Sequence, residues 1–143
     1  LLRLAELTTN DHYRQRAQRC FRAFASQLKK NPTSMPRMLS ALDFSLDRPK
    51  EIAIVKASPQ DTTEPLLAEL RTHFLPNRVV SIVTQGSELT THQKVIPWLE
   101  AKIAIKGEVT AYVCEQHVCA LPTSDPEIFA KQIVTITPLS YPE

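Results

Sequence analysis

The sequence predicts an α/β fold, in which a helical hairpin precedes a small sheet of three to four mainly parallel strands with flanking helices. In the first 48 residues, apolar side chains recur at steps of three and four, the period of an amphipathic helix. From residue 49 onward short β-branched runs take over. A strand, a helix and a strand then follow one another between residues 52 and 84, the pattern of a βαβ unit with parallel strands.

The helical segment is predicted to contain two helices after the tail of an earlier one. The first runs from about Tyr13 to Leu28 and has Asn10 or Asp11 as its N-cap. The second follows the break at Pro32, is capped by Thr33 or Ser34, and ends ahead of Pro49. Its inward positions are Met35, Met38, Leu39, Leu42 and Leu46.

The βαβ unit is predicted from two apolar runs and from the capping and proline residues between them. Residues 52–55 form a buried strand, Thr62 or Thr63 caps a helix with Pro65 in its first turn, and residues 78–84 form the second strand. The inward positions of that helix are Leu66, Leu67, Leu70 and Phe74.

The rest of the chain is predicted to be a loop, a hairpin and a helix. Residues 85–108 form a loop with a short helix near Trp98, because Pro97 interrupts any longer one. Residues 109–114 and 118–121 pair as a hairpin across the turn 115–117. A helix starts at residues 124–127, where Asp125 can cap and Pro126 takes the first helical position. The tail, residues 138–143, is predicted to be irregular.

Composition excludes several classes of protein. The 143 residues and the 43% hydrophobic fraction suit one domain, and a net charge of +2 is too balanced for a polyanion-binding surface. No apolar run approaches the ~18 to 20 residues that span a bilayer. Three cysteines favour a reducing compartment, so we expect a soluble cytoplasmic protein. Gly86 and Gly107 stand alone, which excludes glycine-rich phosphate loops. We expect neither a cofactor nor a metal.

Four ordered blocks carry a family resemblance: residues 38–43 (MLSALD), 48–55 (RPKEIAIV), 70–80 (LRTHFLPNRVV) and 111–114 (AYVC), the last followed by Cys119, Pro122 and Asp125-Pro126-Glu127. This succession resembles the C-terminal end of the thioredoxin-domain-containing, spermatogenesis-associated family. Such proteins carry an N-terminal thioredoxin-like domain and an (α/α) barrel similar to N-acylglucosamine epimerases and six-hairpin glycosidases. A departure stands at Ala101, where the resemblance leads us to expect glycine.

The resemblance implies two parts. Residues 1–48 are then the last helices of a truncated barrel, and residues 49–143 are a small α/β C-terminal domain. The chain opens at Leu1 inside a helical pattern, as expected of a piece of a longer protein. The resemblance implies no established activity and carries no catalytic residue onto this chain.

Cys114 and Cys119 form the first candidate site. Direct pairing in a hairpin puts their Cα atoms within reach of a disulfide, so a redox pair is allowed. The alternative is two ordinary half-buried thiols, since free cysteine is among the most buried residue types. A metal site is disfavoured, because structural zinc takes four ligands and only His117 is at hand.

Acids and bases elsewhere give weaker candidates. Asp43, Asp47 and Glu51 could suggest glycosidase carboxylates, but like charges at a spacing of four usually mark solvated positions, and a tether to the barrel rim is favoured over chemistry. The four histidines are scattered, and no serine or cysteine stands in a hydrolase elbow. The arginines of the first long helix lack interleaved aromatic residues, which favours a solvated face over a nucleic-acid surface.

The leading hypothesis is a non-catalytic accessory region that packs on an upstream barrel domain of the same chain. Its exposed helical face could also self-associate, and we expect neither nucleic acid nor membrane as a partner. The candidate barrel-facing residues are Met35, Met38, Leu42 and Trp98, although a buried anchor is the favoured interpretation of Trp98. The alternative is a thiol-redox or thiol-sensing module in which Cys114 is attacked and Cys119 resolves it. A third hypothesis places a ligand at the loops 58–63 and 85–90.

Overall fold

The computed structural model describes residues 1–136, so the predicted irregular tail lies outside the described residues. Within that range the chain forms six α-helices and four strands. The helices are α1 (Leu2–Thr8), α2 (Asp11–Lys30), α3 (Pro36–Leu46), α4 (Glu64–Thr72), α5 (Ser87–Gln93) and α6 (Pro126–Val134). The strands are β1 (Lys50–Lys56), β2 (Arg78–Thr84), β3 (Thr110–Glu115) and β4 (Val118–Cys119). Short 3-10 turns occupy Pro32–Ser34, Pro97–Leu99 and Ile105–Gly107.

The four strands form one mixed sheet in the order β2-β1-β3-β4. The α/β class is confirmed, and β1 and β2 are parallel as predicted. The prediction of a mainly parallel sheet is wrong, because β3 runs antiparallel to β1 and β4 antiparallel to β3. β1 and β2 begin at one end of the sheet, whereas β3 begins at the other end, beside the last residues of β1. The tight turn after β3 can join only antiparallel strands.

Helices cover both faces of the sheet. On one face Ile52 and Ile54 of β1 pack with Leu66 and Leu70 of α4 and with Phe129 of α6. The opposite face packs against α1, α2, α3, α5 and the 3-10 turn at Pro97–Leu99. The central strand β1 is therefore buried on both sides, which explains its unbroken apolar run. The helices of residues 1–48 share their core with the sheet.

Predicted caps define two of the helix starts. The Asn10 side chain accepts a hydrogen bond from the His12 N–H at 3.0 Å at the start of α2. Asp125 Oδ1 accepts from the N–H groups of Glu127 and Ile128 at the start of α6, with Pro126 at the first helical position. The short polar side chains thus satisfy N–H groups that the helices leave unpaired.

The start and the inward face of α3 differ from the prediction. Thr33 and Ser34 lie in the 3-10 turn and do not cap it; α3 begins at Pro36, which suits a first turn. Phe44 is its buried residue, whereas Leu46 is 66% exposed. Leu39 is exposed as well. The side of α3 that faces the core is therefore centred on Phe44 and is not the predicted one.

Phe74 and residues 85–108 also differ from the prediction. Phe74 is 91% exposed because α4 ends at Thr72, two residues before it. Residues 85–108 are more helical than predicted, with α5 starting after Gly86, whose φ of 105° suits glycine. Ala101, where glycine is expected from the resemblance, has a φ of 61° in the left-handed region. Within residues 1–136, no helix is both long and apolar enough to cross a membrane.

Candidate functional site

The candidate site is centred on the β3–β4 hairpin. Gln116 and His117 form its turn with φ values of 49° and 66°, the positive values of a two-residue type I′ turn. This turn is shorter than the predicted one and sets Cys114 directly opposite Cys119. The two cysteines are joined in a disulfide with their Cα atoms 3.9 Å apart. Cys20, on α2, is free and exposed.

Three side chains form a row across one face of the sheet. Glu51 of β1 lies opposite Cys114 of β3, which lies opposite Cys119 of β4. Residues that face one another on neighbouring strands project from the same side, with their Cβ atoms about 4.5–5.5 Å apart. Cys114 is 1% exposed and Cys119 is exposed, so the disulfide has one buried and one accessible sulfur.

Glu51 is a carboxylic acid enclosed by protein. Its side chain is 1% exposed, and Oε1 lies 3.0 Å from Nδ1 of His117. Oε2 accepts from the main-chain N–H of His117 at 3.2 Å. Burial raises the pKa of Glu51 above its ordinary value of 4.5; His117 opposes the rise and Glu6 adds to it. Glu51 therefore retains its proton to a higher pH than an exposed glutamate.

Lys102 supplies a second buried charge next to the same space. Its Nζ donates to the carbonyl of Trp98 at 2.6 Å and lies 5.7 Å from the Trp98 ring centroid and 5.5 Å from that of Tyr112. Burial lowers the pKa of Lys102, and the negative charge of Glu51 opposes this fall. Aromatic faces and a carbonyl together hold the ammonium group in place.

These groups surround a pocket of about 400 Å³ that is open to solvent. It is lined by Thr9, Glu51, Pro97, Trp98, Glu100, Lys102, Cys114, His117 and Cys119. The pocket combines a disulfide, a buried acid and a histidine that is 56% exposed. Proton transfer and thiol–disulfide exchange are the chemistry that such groups can perform.

The structure separates the three carboxylates that the sequence placed together. Asp43 and Asp47 each accept a hydrogen bond from Nδ2 of Asn77 at 2.8 Å, at the junction of α3 with the sheet. Glu51 points instead into the pocket beside the disulfide. The two aspartates therefore hold the end of α3 to the loop before β2.

The candidate barrel-facing residues occupy different environments. Met35, Met38 and Leu42 are half-buried on or beside α3. Trp98 is buried, and its Nε1 donates to the carbonyl of Glu6 at 3.1 Å. Trp98 therefore anchors its segment against α1.

The loops of the ligand-binding hypothesis use their polar groups internally. Ser58 N–H donates to Asp61 Oδ2 at 2.8 Å, and Gln85 Oε1 accepts from the N–H of Ala104 at 2.8 Å. Among residues 1–136, no group of three or more histidine, cysteine or acidic side chains could hold a metal ion.

The sequence analysis did not identify Lys102 as a residue of the site, nor His117 as the partner of Glu51. A signal for Glu51 exists, because an acid next to an apolar run that is buried on both faces must itself point into the protein. Lys102 gave no comparable signal, since its burial depends on the rings of Trp98 and Tyr112, which tertiary packing brings to it.

Comparison with known proteins gives three related matches. Over 126 residues, 88% of this chain, it is 27% identical to human spermatogenesis-associated protein 20. The corresponding proteins of Rattus norvegicus and Mus musculus are 26% and 25% identical over the same length. The predicted resemblance to the spermatogenesis-associated family is confirmed. The chain spans 16% of the length of these spermatogenesis-associated proteins. No protein-family model and no solved structure matches the chain.

Proposed function

We propose that this chain is a non-catalytic accessory region at the C-terminal end of a longer protein, packed on an upstream barrel domain. The match of 88% of the chain to 16% of each relative supports the part of this proposal that makes the chain a region of a longer protein. The conclusion concerns the role of the fold as a whole, and it assigns the chain no reaction.

The helical segment offers the surface for that packing. A groove of about 570 Å³ opens between α1, α2 and α3, with Ala17, Phe21, Met38 and Phe44 among its lining residues. Phe24 of α2 is 47% exposed, and Leu1 and Leu4 are exposed beside α1. Exposed apolar side chains on the same helices as an apolar groove favour an interaction surface there. The proposed occupants are helices of the upstream barrel, which would complete a helical layer.

A charged substitution on α2 tests this proposal in the longer protein. Phe24→Asp is expected to lower its thermal unfolding midpoint by several degrees and to have little effect in the 143-residue chain alone. Phe74→Asp is the matched control, because Phe74 is exposed after α4 and does not line the groove. Equal tolerance of both substitutions in the longer protein would overturn the packing proposal.

A second candidate function is thiol–disulfide exchange at Cys114 and Cys119. The buried acid beside the formed disulfide favours it over two ordinary core thiols. In a reducing compartment a disulfide is usually transient and either catalytic or redox-sensing. Burial favours attack on the exposed Cys119, with Cys114 as the leaving thiol, which reverses the roles expected from the sequence.

A redox titration tests this candidate directly. In a Cys20→Ser background, intact mass after alkylation counts the reduced Cys114–Cys119 pair in glutathione buffers of graded potential. Exchange function predicts reversible reduction between about −180 and −300 mV. A disulfide that stays closed below about −300 mV is a structural bond, and that result would reject the exchange function.

A further inference from the structure

We propose that Glu51 is the general acid–base for thiol–disulfide exchange at Cys114, and that His117 passes its proton to and from solvent. The inference rests on the exchange function proposed above and deepens it. It assigns roles to Glu51 and His117, which belong to no redox motif in the sequence.

Strand register places the acid beside the buried sulfur. Glu51 and Cys114 are directly paired across β1 and β3, and both line the pocket at the hairpin. Solvent reaches Cys119 but hardly reaches Cys114, which is 1% exposed. A thiolate released at Cys114 therefore needs a proton donor from within the protein.

His117 connects that donor to water. Its ring is 56% exposed on one side, and its Nδ1 lies 3.0 Å from Glu51 Oε1 on the other. The main-chain N–H of His117 also donates to Glu51. Because His117 sits in the two-residue turn between the cysteines, the hairpin that makes the disulfide also sets the proton path.

The exchange balances in protons and electrons. A small thiol attacks Cys119 Sγ as its thiolate, the Sγ–Sγ bond breaks, and Cys114 leaves with the electron pair. The Glu51 carboxyl protonates that thiolate and regains its proton through His117. A second thiol attacks the sulfur of the first, so two thiols become one disulfide and Cys119 is released reduced. In reverse, the Glu51 carboxylate takes the proton of Cys114, and the thiolate attacks Cys119 Sγ in its mixed disulfide, closes the Sγ–Sγ bond and expels the small thiolate.

The surrounding charges suit this role. His117 and Lys102 bring positive groups toward Glu51, and Glu6 of α1 brings a negative one. Glu6 is itself paired with Arg14 at 2.8 Å. Burial keeps the pKa of Glu51 raised, and so closer to neutral pH, where a general acid–base works best. Lys102 cannot take this role as an acceptor while its ammonium group donates to the Trp98 carbonyl.

Ring closure after modification of Cys119 isolates the step. In the Cys20→Ser background, reduced protein reacts with 5,5′-dithiobis(2-nitrobenzoate) in two phases. The first is capture at the exposed Cys119, and the second is intramolecular attack by Cys114, which releases a second coloured thiolate. The variants are Glu51→Gln, Glu51→Asp and the control Glu108→Gln, an exposed acid that does not line the pocket.

We expect Glu51→Gln to slow the second phase at least tenfold at pH 6 to 7 and to leave the first phase unchanged. Glu51→Asp should restore part of the rate, and Glu108→Gln should match wild type. If Glu51 were only a structural charge, its removal would ease ionisation of Cys114 and leave the second phase equal or faster. That outcome would overturn the proposal.

A second variant keeps the test decisive if Glu51→Gln fails to fold. His117→Asn retains a residue that tolerates the positive φ of the turn but removes the ring from Glu51. It should slow the second phase in the same pH range, and a wild-type profile would count against the relay. The redox titration distinguishes failure of the exchange function from failure of the role of Glu51. A disulfide that cannot be reduced rejects the exchange function. A reducible disulfide whose closure is unaltered in the variants rejects only the role of Glu51.

Discussion

The indole N–H of Trp98 donates a hydrogen bond to the main-chain carbonyl of Glu6, 92 positions earlier in the chain, at 3.1 Å. The bond joins α1 to the segment that carries Lys102 and walls the pocket beside the disulfide. One aromatic side chain thus links the helical segment to the candidate site, and it does so from within the core.

Trp98→Phe should lower the free energy of unfolding by about 1–2 kcal/mol, since it removes the hydrogen bond and part of the ring. Trp98→Ala should cost about 3–5 kcal/mol because it leaves a cavity. Denaturant unfolding of the two variants measures both. A Phe variant as stable as wild type would show that the bond to Glu6 contributes nothing.

Ala101→Gly should stabilise the protein by about 0.5–1 kcal/mol. Ala101 has a φ of 61°, where a Cβ atom is strained and glycine is not. Ala104→Gly is the control: its φ is −76°, so glycine there relieves no strain and should destabilise. Thermal unfolding of both variants gives the signs, and a destabilised Ala101→Gly would contradict the strain argument.

Asn77→Ala should lower the free energy of unfolding by about 1 kcal/mol, because its amide bridges the carboxylates of Asp43 and Asp47. A double-mutant cycle with Asp47→Ala isolates the interaction and should give a favourable coupling of about 0.5–1 kcal/mol. Zero coupling would mean that the amide and Asp47 act independently, and that the hydrogen bond between them contributes nothing to stability.

Stability should fall as pH rises past the ordinary glutamate range. Because the folded pKa of Glu51 is raised above 4.5, the folded state binds its proton more tightly than the unfolded state does. The resulting stabilisation is full below pH 4.5 and is lost as pH rises through the folded pKa. The free energy of unfolding, measured against pH, should lose this dependence in Glu51→Gln and keep it in Glu100→Gln. A slope that persists in Glu51→Gln would assign it to another group.

Local chemistry determined much of the fold in advance. Asn10 and Asp125 predicted two helix starts, and the β-branched runs predicted β1 and β2 with their parallel pairing. A capping side chain or a fixed proline φ acts within a few residues, so the sequence contains the whole interaction. The same holds for the presence of the hairpin, whereas its shorter turn, which sets Cys114 opposite Cys119, was not predicted.

The sequence by itself thus determined the α/β class, the order of most elements and the presence of the hairpin, and it left Cys114 and Cys119 open between a redox pair and two ordinary thiols. Only the tertiary structure decided that β3 runs antiparallel to β1, and it is this pairing that sets Glu51 beside Cys114. It also decided that Lys102 is buried over two rings, and that Asp43 and Asp47 turn to Asn77 while Glu51 does not. Strand direction and the partners of a buried charge depend on contacts between distant segments, and no local pattern along the chain encodes them.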